Sequence, residues 1–162
     1  MGGWRGPHRA EVVVGADGSP GCRRAVEFAV REAVLRDADL VAVMSVGGSV
    51  RSGSTRGVST GRMEAAEHRL RQFLESVGTG SVEVTIVVTT LPAADALVDR
   101  SRFAELLIIG HPAGSVSAAG SVPARCVDEA RCPVVVVRPS RQRRPLRPPT
   151  GHDAVAQLIG QT

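Results

Sequence analysis

A run of small residues between two apolar segments is the feature of this sequence best suited to chemistry. The segment Leu106–Ile109 has the apolar, branched composition of a strand buried on both faces, and it stops at Gly110. Gly120 and Ser121 then open an amphipathic segment, Val122–Ala130. Glycines let the backbone approach a ligand, and the first amides of a helix favour an anion such as phosphate. The pattern predicts a phosphate-binding turn; the alternative is that the glycines only turn the chain.

Few residues that could catalyse a reaction lie near this turn. His111 directly follows Gly110 and could contact a phosphate or a ribose, and a loop histidine without any ligand is the alternative. No serine stands in a G-x-S-x-G elbow, and no paired carboxylates can be placed at the turn. Neither a P-loop nor a G-x-G-x-x-G fingerprint occurs. We therefore predict a binding site with no catalytic residue.

The cysteines give no sign of a metal centre or a redox pair. Cys22, Cys126 and Cys132 form neither a C-x-x-C pair nor a metal-ligand spacing. Cys126 and Cys132 fall within apolar patterns, where cysteine behaves as a small hydrophobic residue. We expect reduced thiols with packing roles and no metal site.

Apolar runs and amphipathic stretches alternate along the chain. Strands are predicted at Val12–Val14, Asp39–Val46, Val82–Thr89, Leu106–Ile109 and Val134–Val137, and helices at Arg23–Arg36, at Met63–Val77, from Pro92 and at Val122–Ala130. Short β-α units predict an α/β three-layer sandwich with a five-stranded, mainly parallel sheet of Rossmann-like type. In such sheets ligands bind beyond the carboxyl ends of the strands at the switch point in strand order. The first and fourth strands should flank that point, which would bring Asp17 and Gly110 together.

The short helix expected from Pro92 has a recognisable apolar face. Ala93, Ala96 and Leu97 are expected to face the sheet, with Phe103 as a further candidate. The charged residues of this stretch are expected on a solvated face; they are Asp95, Asp99, Arg100 and Arg102.

The composition indicates one domain with an aliphatic core. Hydrophobic residues make up 43% of the 162 residues and aromatic residues only 2%, so Val, Leu, Ile and Ala must fill the interior. We divide the chain into a disordered lead-in (1–9), a folded domain (10–139) and an Arg/Pro-rich tail (140–162) that is expected to be disordered. No run approaches the ~20 apolar residues needed to span a membrane, and the N-terminus lacks the apolar stretch of a signal peptide. A cytoplasmic protein is expected.

The positive charge of the chain is concentrated at its C-terminal end. All 20 basic residues other than histidine are arginines; five of them, but only one of the 16 acids, lie beyond Val137. This leaves residues 1–137 with 15 arginines and 15 acids. A basic tail could contact nucleic acid or anionic lipid, but no stacking aromatic or known motif accompanies it. We favour a solvated end over a nucleic-acid-binding one.

Two segments resemble the universal stress protein family. The first starts at Val12, VVVGADGSPGCRRAVEFAVREA, with a valine-rich strand, a turn that holds Asp17 and a helix of the family's length. The second joins a strand ending at Gly110 to Gly120–Val122 and then to Cys132–Val137. The chain is similar to a single-domain member of the family over residues 10–139.

The resemblance implies that ATP, or a related adenine nucleotide, binds at the small-residue turn. Nucleotide-binding members carry glycine, two residues, glycine, nine residues, and glycine followed by serine or threonine. The matching positions are Gly110, Gly120, Ser121 and Val122, which would hold the phosphates through backbone amides and the hydroxyl. Ala113 stands in place of the second glycine, so Gly114 with Ser115 would replace it. Nine residues separate Gly110 from Gly120, where the family pattern has twelve.

The resemblance also assigns a role to Asp17 and an assembly to the chain. Asp17 would lie beside the ribose or adenine; the alternative is that it only stabilises its turn through a bond to the backbone. The family's histidine and valine beside the adenine are replaced by Met44 and Ser45. By resemblance we expect a cytoplasmic homodimer, paired through the last strand (Pro133–Arg138), that binds ATP as a sensor or regulator in stress adaptation. Any hydrolysis should be slow.

Other functions stay open from the sequence. The shortened loop removes backbone amides around the phosphates, which favours a dimeric interaction module of the same fold that does not bind ATP. A nucleotide hydrolase or ligase of related fold would need an acid or base that the sequence does not offer. A nucleic-acid binder acting through the tail is the last alternative.

Overall fold

The computed structural model describes residues 9–47, 59–111 and 120–138, and within these ranges five strands alternate with four helices. The elements are β1 (Glu11–Gly15), α1 (Pro20–Arg36), β2 (Asp39–Ser45), α2 (Thr60–Val77), β3 (Val84–Thr89), α3 (Ala93–Arg100), β4 (Leu106–Gly110), α4 (Val122–Glu129) and β5 (Val134–Val137). Every predicted element is present. The largest shift is at α2, which begins three residues before the predicted start.

The five strands form one parallel sheet in the order β3-β2-β1-β4-β5. All four strand pairs are parallel, which confirms the predicted α/β fold class. The chain moves outward from β1 to β3 and then returns to the other side of β1 with β4. The switch point therefore lies between β1 and β4, as predicted, and the carboxyl ends of these strands are Gly15 and Gly110.

Each face of the sheet is covered by a pair of helices. Val12 and Val14 of β1 point into a core shared with α1 and α2, whereas Val13 points into a second core shared with α3 and α4. This alternation follows from the twofold period of a strand. All three valines have no exposed surface, as expected for a central strand of a parallel sheet. The domain is thus a three-layer sandwich with an aliphatic interior.

Helix α1 begins near the carboxyl end of β1 and is capped at both of its ends. Ser19 has extended backbone geometry and its Oγ accepts a hydrogen bond from the Cys22 amide at 3.3 Å. Pro20 then occupies the first helical position, where its missing N–H costs nothing. At the other end Asp37 adopts a left-handed conformation (φ 49°), and its amide bonds to the last carbonyls of the helix. Capping therefore fixes where α1 begins and ends.

The α3 and α4 layer is thin, and it differs from expectation in two respects. Phe103 is 69% exposed and does not face the sheet, because it follows the turn that ends α3. Arg100 is not simply solvated: its guanidinium pairs with Glu11 of β1 at 3.1 Å, with both side chains about one-third exposed. Cys126, as predicted, packs as a hydrophobic residue and is fully buried.

No helix in the described ranges is long and apolar enough to cross a membrane. The predicted boundary between the lead-in and the domain lies at the first described residues, 9 and 10. The predicted boundary between residues 139 and 140, and the Arg/Pro-rich tail 140–162, lie outside the described residues.

Candidate functional site

A cavity of about 270 Å³ opens at the switch point between β1 and β4. Its walls are the carboxyl ends of β1, β2 and β4 and the first turns of α1, α3 and α4. The lining is mainly apolar, with Val43, Leu97 and Ile109 among its side chains. A cavity of this size lies just below the usual range for small-ligand sites, about 300 to 1,000 Å³. It is large enough to enclose part of a small ligand.

The structure brings together several of the residues that the sequence singled out. Asp17, Gly110, Ser121 and Val122 line the cavity, as does His111. Gly120 directly precedes Ser121 and has φ +87°, and a Cβ at this position would meet no other atom within 4 Å. Glycine is thus required there by backbone conformation rather than by crowding. Gly114 and Ser115 lie outside the described residues.

Three helices point their amino-terminal ends at the cavity. The first turn of α4 contains no acidic residue, whereas Asp95 lies in the first turn of α3 and the Asp17 carboxylate bonds to the Ser19 amide before α1. Ser121 caps α4, its Oγ accepting from the Ala124 amide at 3.4 Å. Among the described lining residues Asp17 is the only acid, and none is an arginine. The start of α4 is therefore the helix end at this site that is best suited to an anion.

Asp17 has the turn-stabilising role that was one of its two interpretations. Its Oδ1 accepts a hydrogen bond from the Ser19 amide at 2.8 Å. Burial acts to raise the pKa of the carboxyl, but the hydrogen bonds from Ser19 and Cys22 outweigh it, so the pKa of Asp17 lies below its ordinary value. The side chain is exposed on the cavity side of the turn. Asp17 is therefore ionised at neutral pH, and a bond to the turn does not prevent it from accepting hydrogen bonds from a ligand.

The lowered pKa of Asp17 gives a prediction for stability against pH. Because the folded-state pKa is below the unfolded value of about 3.9, Asp17 stabilises the fold above that pH, and the contribution is lost as pH falls through the folded pKa. The difference in unfolding free energy between wild type and Asp17→Asn should be constant from about pH 5 to 8 and should shrink below about pH 4. Urea unfolding at several pH values measures it, with Asp128→Asn on the exposed part of α4 as control. A difference that grew on acidification would contradict the assignment.

Gly110 has a packing role that the sequence did not reveal. A Cβ at this position would lie 3.3 Å from the Cα of Cys22 and 3.3 Å from the carbonyl oxygen of Gly21. The end of β4 thus approaches the first turn of α1 directly, backbone to backbone. This contact alone explains a glycine at position 110, whether or not a ligand is bound.

Two further residues of the cavity were not predicted as site residues. Ser45 donates its hydroxyl to the Leu91 carbonyl at 2.6 Å and so ties the end of β2 to the turn before α3. The Cys22 thiol faces Asp17, and burial, followed by the charge of Asp17, raises its pKa. Cys22 is consequently a neutral thiol at neutral pH. The resemblance indicates a place for Ser45 beside the ligand, whereas the place of Cys22 in the cavity depends on sheet order, which no local motif encodes.

No group of three or more potential metal-binding side chains occurs in the part of the chain that is described. This arrangement is suited to binding. It provides an apolar cavity for a flat or aliphatic group, an ionised acceptor at the cavity edge, and helix ends for an anion.

Comparison with known proteins gives one consistent family. The model of the universal stress protein family matches residues 9–138. A universal stress protein of Mycobacterium tuberculosis (strain H37Rv) is 36% identical over 139 residues, covering 83% of this chain and 50% of the relative. The chain thus spans about half the length of the curated relatives it matches.

Solved structures show the same architecture. A universal stress protein in complex with cAMP superposes with a TM-score of 0.60 and 26% identity, covering 83% of this chain and 100% of that chain. The universal stress protein UspA from Lactobacillus plantarum superposes with a TM-score of 0.62 over 82% of this chain and 99% of its own, at 22% identity. The second of these likenesses supports the fold alone.

Proposed function

Because the chain belongs to the universal stress protein family, we propose that it binds an adenine nucleotide, with ATP as the specific candidate, in the cavity between β1 and β4. The observation that carries the proposal is the meeting of three helix amino-terminal ends at an apolar cavity on the switch point. A structural neighbour of the family has been solved in complex with cAMP. The ligand class is therefore one that this architecture accepts.

The cavity offers a distinct place for each part of the nucleotide. The adenine enters between Val43, Leu97 and Ile109, whose side chains are among the least exposed of the lining. The ribose hydroxyls donate to the ionised carboxylate of Asp17 at the cavity edge. These contacts fix the orientation of the nucleoside, with its phosphates directed toward the start of α4.

The phosphates meet the amides at the start of α4. Pro123 has no N–H, and the Ala124 amide already bonds to the Ser121 hydroxyl. The amides of Ser121 and Val122 are accordingly the donors that a phosphate would use, together with the backbone freedom of Gly120. Gly110, and the Gly114 and Ser115 pair from outside the described residues, complete the proposed phosphate turn.

The proposed role is that of a cytoplasmic sensor or regulator in stress adaptation rather than an enzyme. Among the described lining residues Asp17 is the only carboxylate, and it is engaged in its own turn. Hydrolysis of ATP, where it occurs, is expected to be slow, because the described lining holds no second carboxylate to share acid and base roles with Asp17.

We place the proposed folded domain at residues 10–139 and its homodimer contact on β5. Within the described residues β5 pairs with β4 alone, and its four valines are only half-buried. A second copy adding its own β5 would cover this apolar edge in a twofold-symmetric contact.

A second candidate function is a dimeric interaction module that does not bind ATP. The specific observation in its favour is the sequence between Gly110 and Gly120, which is shorter than the family's nucleotide-binding pattern. In that case the fold and the β5 contact are retained, and the cavity has no physiological nucleotide.

Calorimetric titration with ATP, AMP and cAMP tests the proposal. Asp17→Asn keeps an acceptor for the Ser19 amide but removes the charge, so it should weaken nucleotide binding about tenfold while the turn persists. Asp128→Asn, on the exposed part of α4, is the matched control and should bind as wild type does. Absence of binding by the wild-type protein at millimolar concentrations of all three nucleotides would leave the interaction module as the better account.

A further inference from the structure

Arg125 joins the two short helices that form one wall of the cavity. Its guanidinium lies 2.7 Å from the carboxylate of Asp95 on α3, and it also contacts Glu129 of its own helix at 3.1 and 3.2 Å. The Arg125 and Asp95 side chains are 36% and 43% exposed, so the pair is on the outer surface of the wall. Bonds to Glu129 and then to Asp95 raise the pKa of Arg125, which is cationic at any working pH.

The ion pair between Arg125 and Asp95 lies near the ends of α3 and α4 that face the cavity. Asp95 belongs to the first turn of α3, which begins at the cavity-lining Ala93. Arg125 belongs to the turn of α4 that starts at Ser121, because its amide donates to the Ser121 carbonyl at 3.0 Å. The ion pair therefore links the two turns whose inner faces line the site.

Helix α4 packs on the second core through Cys126 and the partly buried Val122. It has eight residues, too few for a stable helix in isolation, and Cys126 is its only buried residue. Cys126 anchors the middle of the helix in the second core, beside Leu97 and Ile109. These apolar contacts lie on the inner side of α4, and the bond between Arg125 and Asp95 adds a polar contact between α4 and α3 on the outer surface.

We infer that Arg125 is a positioning residue of the nucleotide site, which holds the start of α4 against α3 through its bond to Asp95. Displacement of α4 moves the Ser121 hydroxyl and the Val122 amide together, since both belong to the same turn. The inference rests on the proposed function, because it assigns these groups to the phosphates. The Glu129 bond, which stays within α4, has no such effect on the distance between the helices.

A double-mutant cycle on Asp95→Asn and Arg125→Gln tests the inference, with ATP affinity measured by calorimetry. Each single variant should weaken ATP binding about threefold, the upper range for a partly exposed ion pair. The double variant should also lose about threefold rather than ninefold, because both changes remove the same contact. Arg125→Lys should recover part of the affinity. The free energy of unfolding of each variant, from urea titration, separates loss of position from loss of fold.

Two matched controls isolate the contact between the helices. Glu129→Gln removes the partner within α4 and should leave ATP affinity unchanged. Arg71→Gln breaks a comparable ion pair to Glu67 on α2, which contributes no described residue to the cavity, and should also leave it unchanged. Hydrogen exchange at the α4 amides should accelerate in Arg125→Gln but not in either control.

The outcomes separate this inference from the proposed function. Intact wild-type binding with a strictly additive cycle, or with affinity unchanged in both single variants, would overturn the role of Arg125 alone. Failure of the wild-type protein to bind any nucleotide would overturn the proposed function and the positioning role with it. If no nucleotide binds, unchanged hydrogen exchange at the α4 amides in Arg125→Gln would also exclude a stabilising contact between the two helices. Faster exchange would show that the contact stabilises the fold alone.

Discussion

Replacement of Ala93 by tryptophan is expected to abolish nucleotide binding while leaving the protein folded. Ala93 is the first residue of α3, lines the cavity and is only partly buried, so an indole can extend into the cavity space without displacing core atoms. That space is about 270 Å³, and a tryptophan side chain would take up the part that we propose for the adenine. ATP affinity should fall by about 100-fold or more, because steric exclusion removes most of the nucleoside contacts at once.

The control for this substitution is Ala65→Trp on the exposed face of α2. It adds the same side chain to a helix that does not line the cavity within the described residues, at a similar cost in helix propensity of about 0.5 kcal/mol. Both variants should unfold at nearly the wild-type urea concentration, and only Ala93→Trp should lose the calorimetric signal. Undiminished ATP affinity in folded Ala93→Trp would place the nucleotide elsewhere.

Replacement of Gly47 by alanine is expected to destabilise the fold by about 3 kcal/mol or more. A Cβ at this position would overlap the carbonyl oxygen of Thr90 and come within 2.9 Å of its carbonyl carbon. These are backbone atoms, so relief requires the chain after β2 or the turn after β3 to move. The turn is held by the 2.6 Å bond from Ser45 to the Leu91 carbonyl, and movement would strain or break that bond.

Gly61→Ala provides the matched comparison for Gly47→Ala. Gly61 lies in the first part of α2 with nothing within 4 Å of a Cβ, so alanine there should be neutral or stabilising by up to about 1 kcal/mol. Urea unfolding monitored by circular dichroism measures both variants. Wild-type stability in Gly47→Ala would show that the end of β2 and the turn before α3 are less tightly packed than described.

The fold was predictable because strand and helix periodicities are local properties of the sequence. Runs such as Val12–Val14 and Leu106–Ile109 can be buried on both faces only in a parallel sheet covered by helices, and the structure confirms that sheet. The adjacency of Asp17 and Gly110 also followed, since right-handed crossovers and the switch-point rule restrict which strand ends can meet. Both residues line the same cavity.

What could not be predicted depends on contacts between distant parts of the chain. The sequence pattern explains Gly110 through ligand approach, but its Cβ direction points at the backbone of Gly21 and Cys22, which only the packing of α1 on β4 creates. Phe103 has an apolar side chain that a periodic pattern places inside, yet it lies 69% exposed beyond the end of α3. Predictions from helical periodicity assume that the helix continues, and they do not indicate the residue at which it ends.

The ion pair of Arg125 with Asp95 illustrates the same limit for charged residues. Periodicity alone assigns Asp95 to a solvated face, and no sequence rule pairs residues 30 positions apart on different helices. The two residues come into contact because the sheet order places α3 beside α4. The role of this ion pair in positioning Ser121 is thus a consequence of tertiary structure and not of any motif.

The measurement that tests the central claim most directly is amide chemical-shift mapping of the ¹⁵N-labelled protein during titration with ATP. The largest shifts should fall on the amides of Ala16 and Asp17 after β1, Ile109 at the end of β4, and Ser121 and Val122 at the start of α4. Amides of α2, for which the described structure gives no place at the cavity, should stay unchanged. Saturable shifts confined to these strand and helix ends would support nucleotide binding at the switch point. No shifts at millimolar ATP, or shifts gathered along the β3 edge instead, would contradict it.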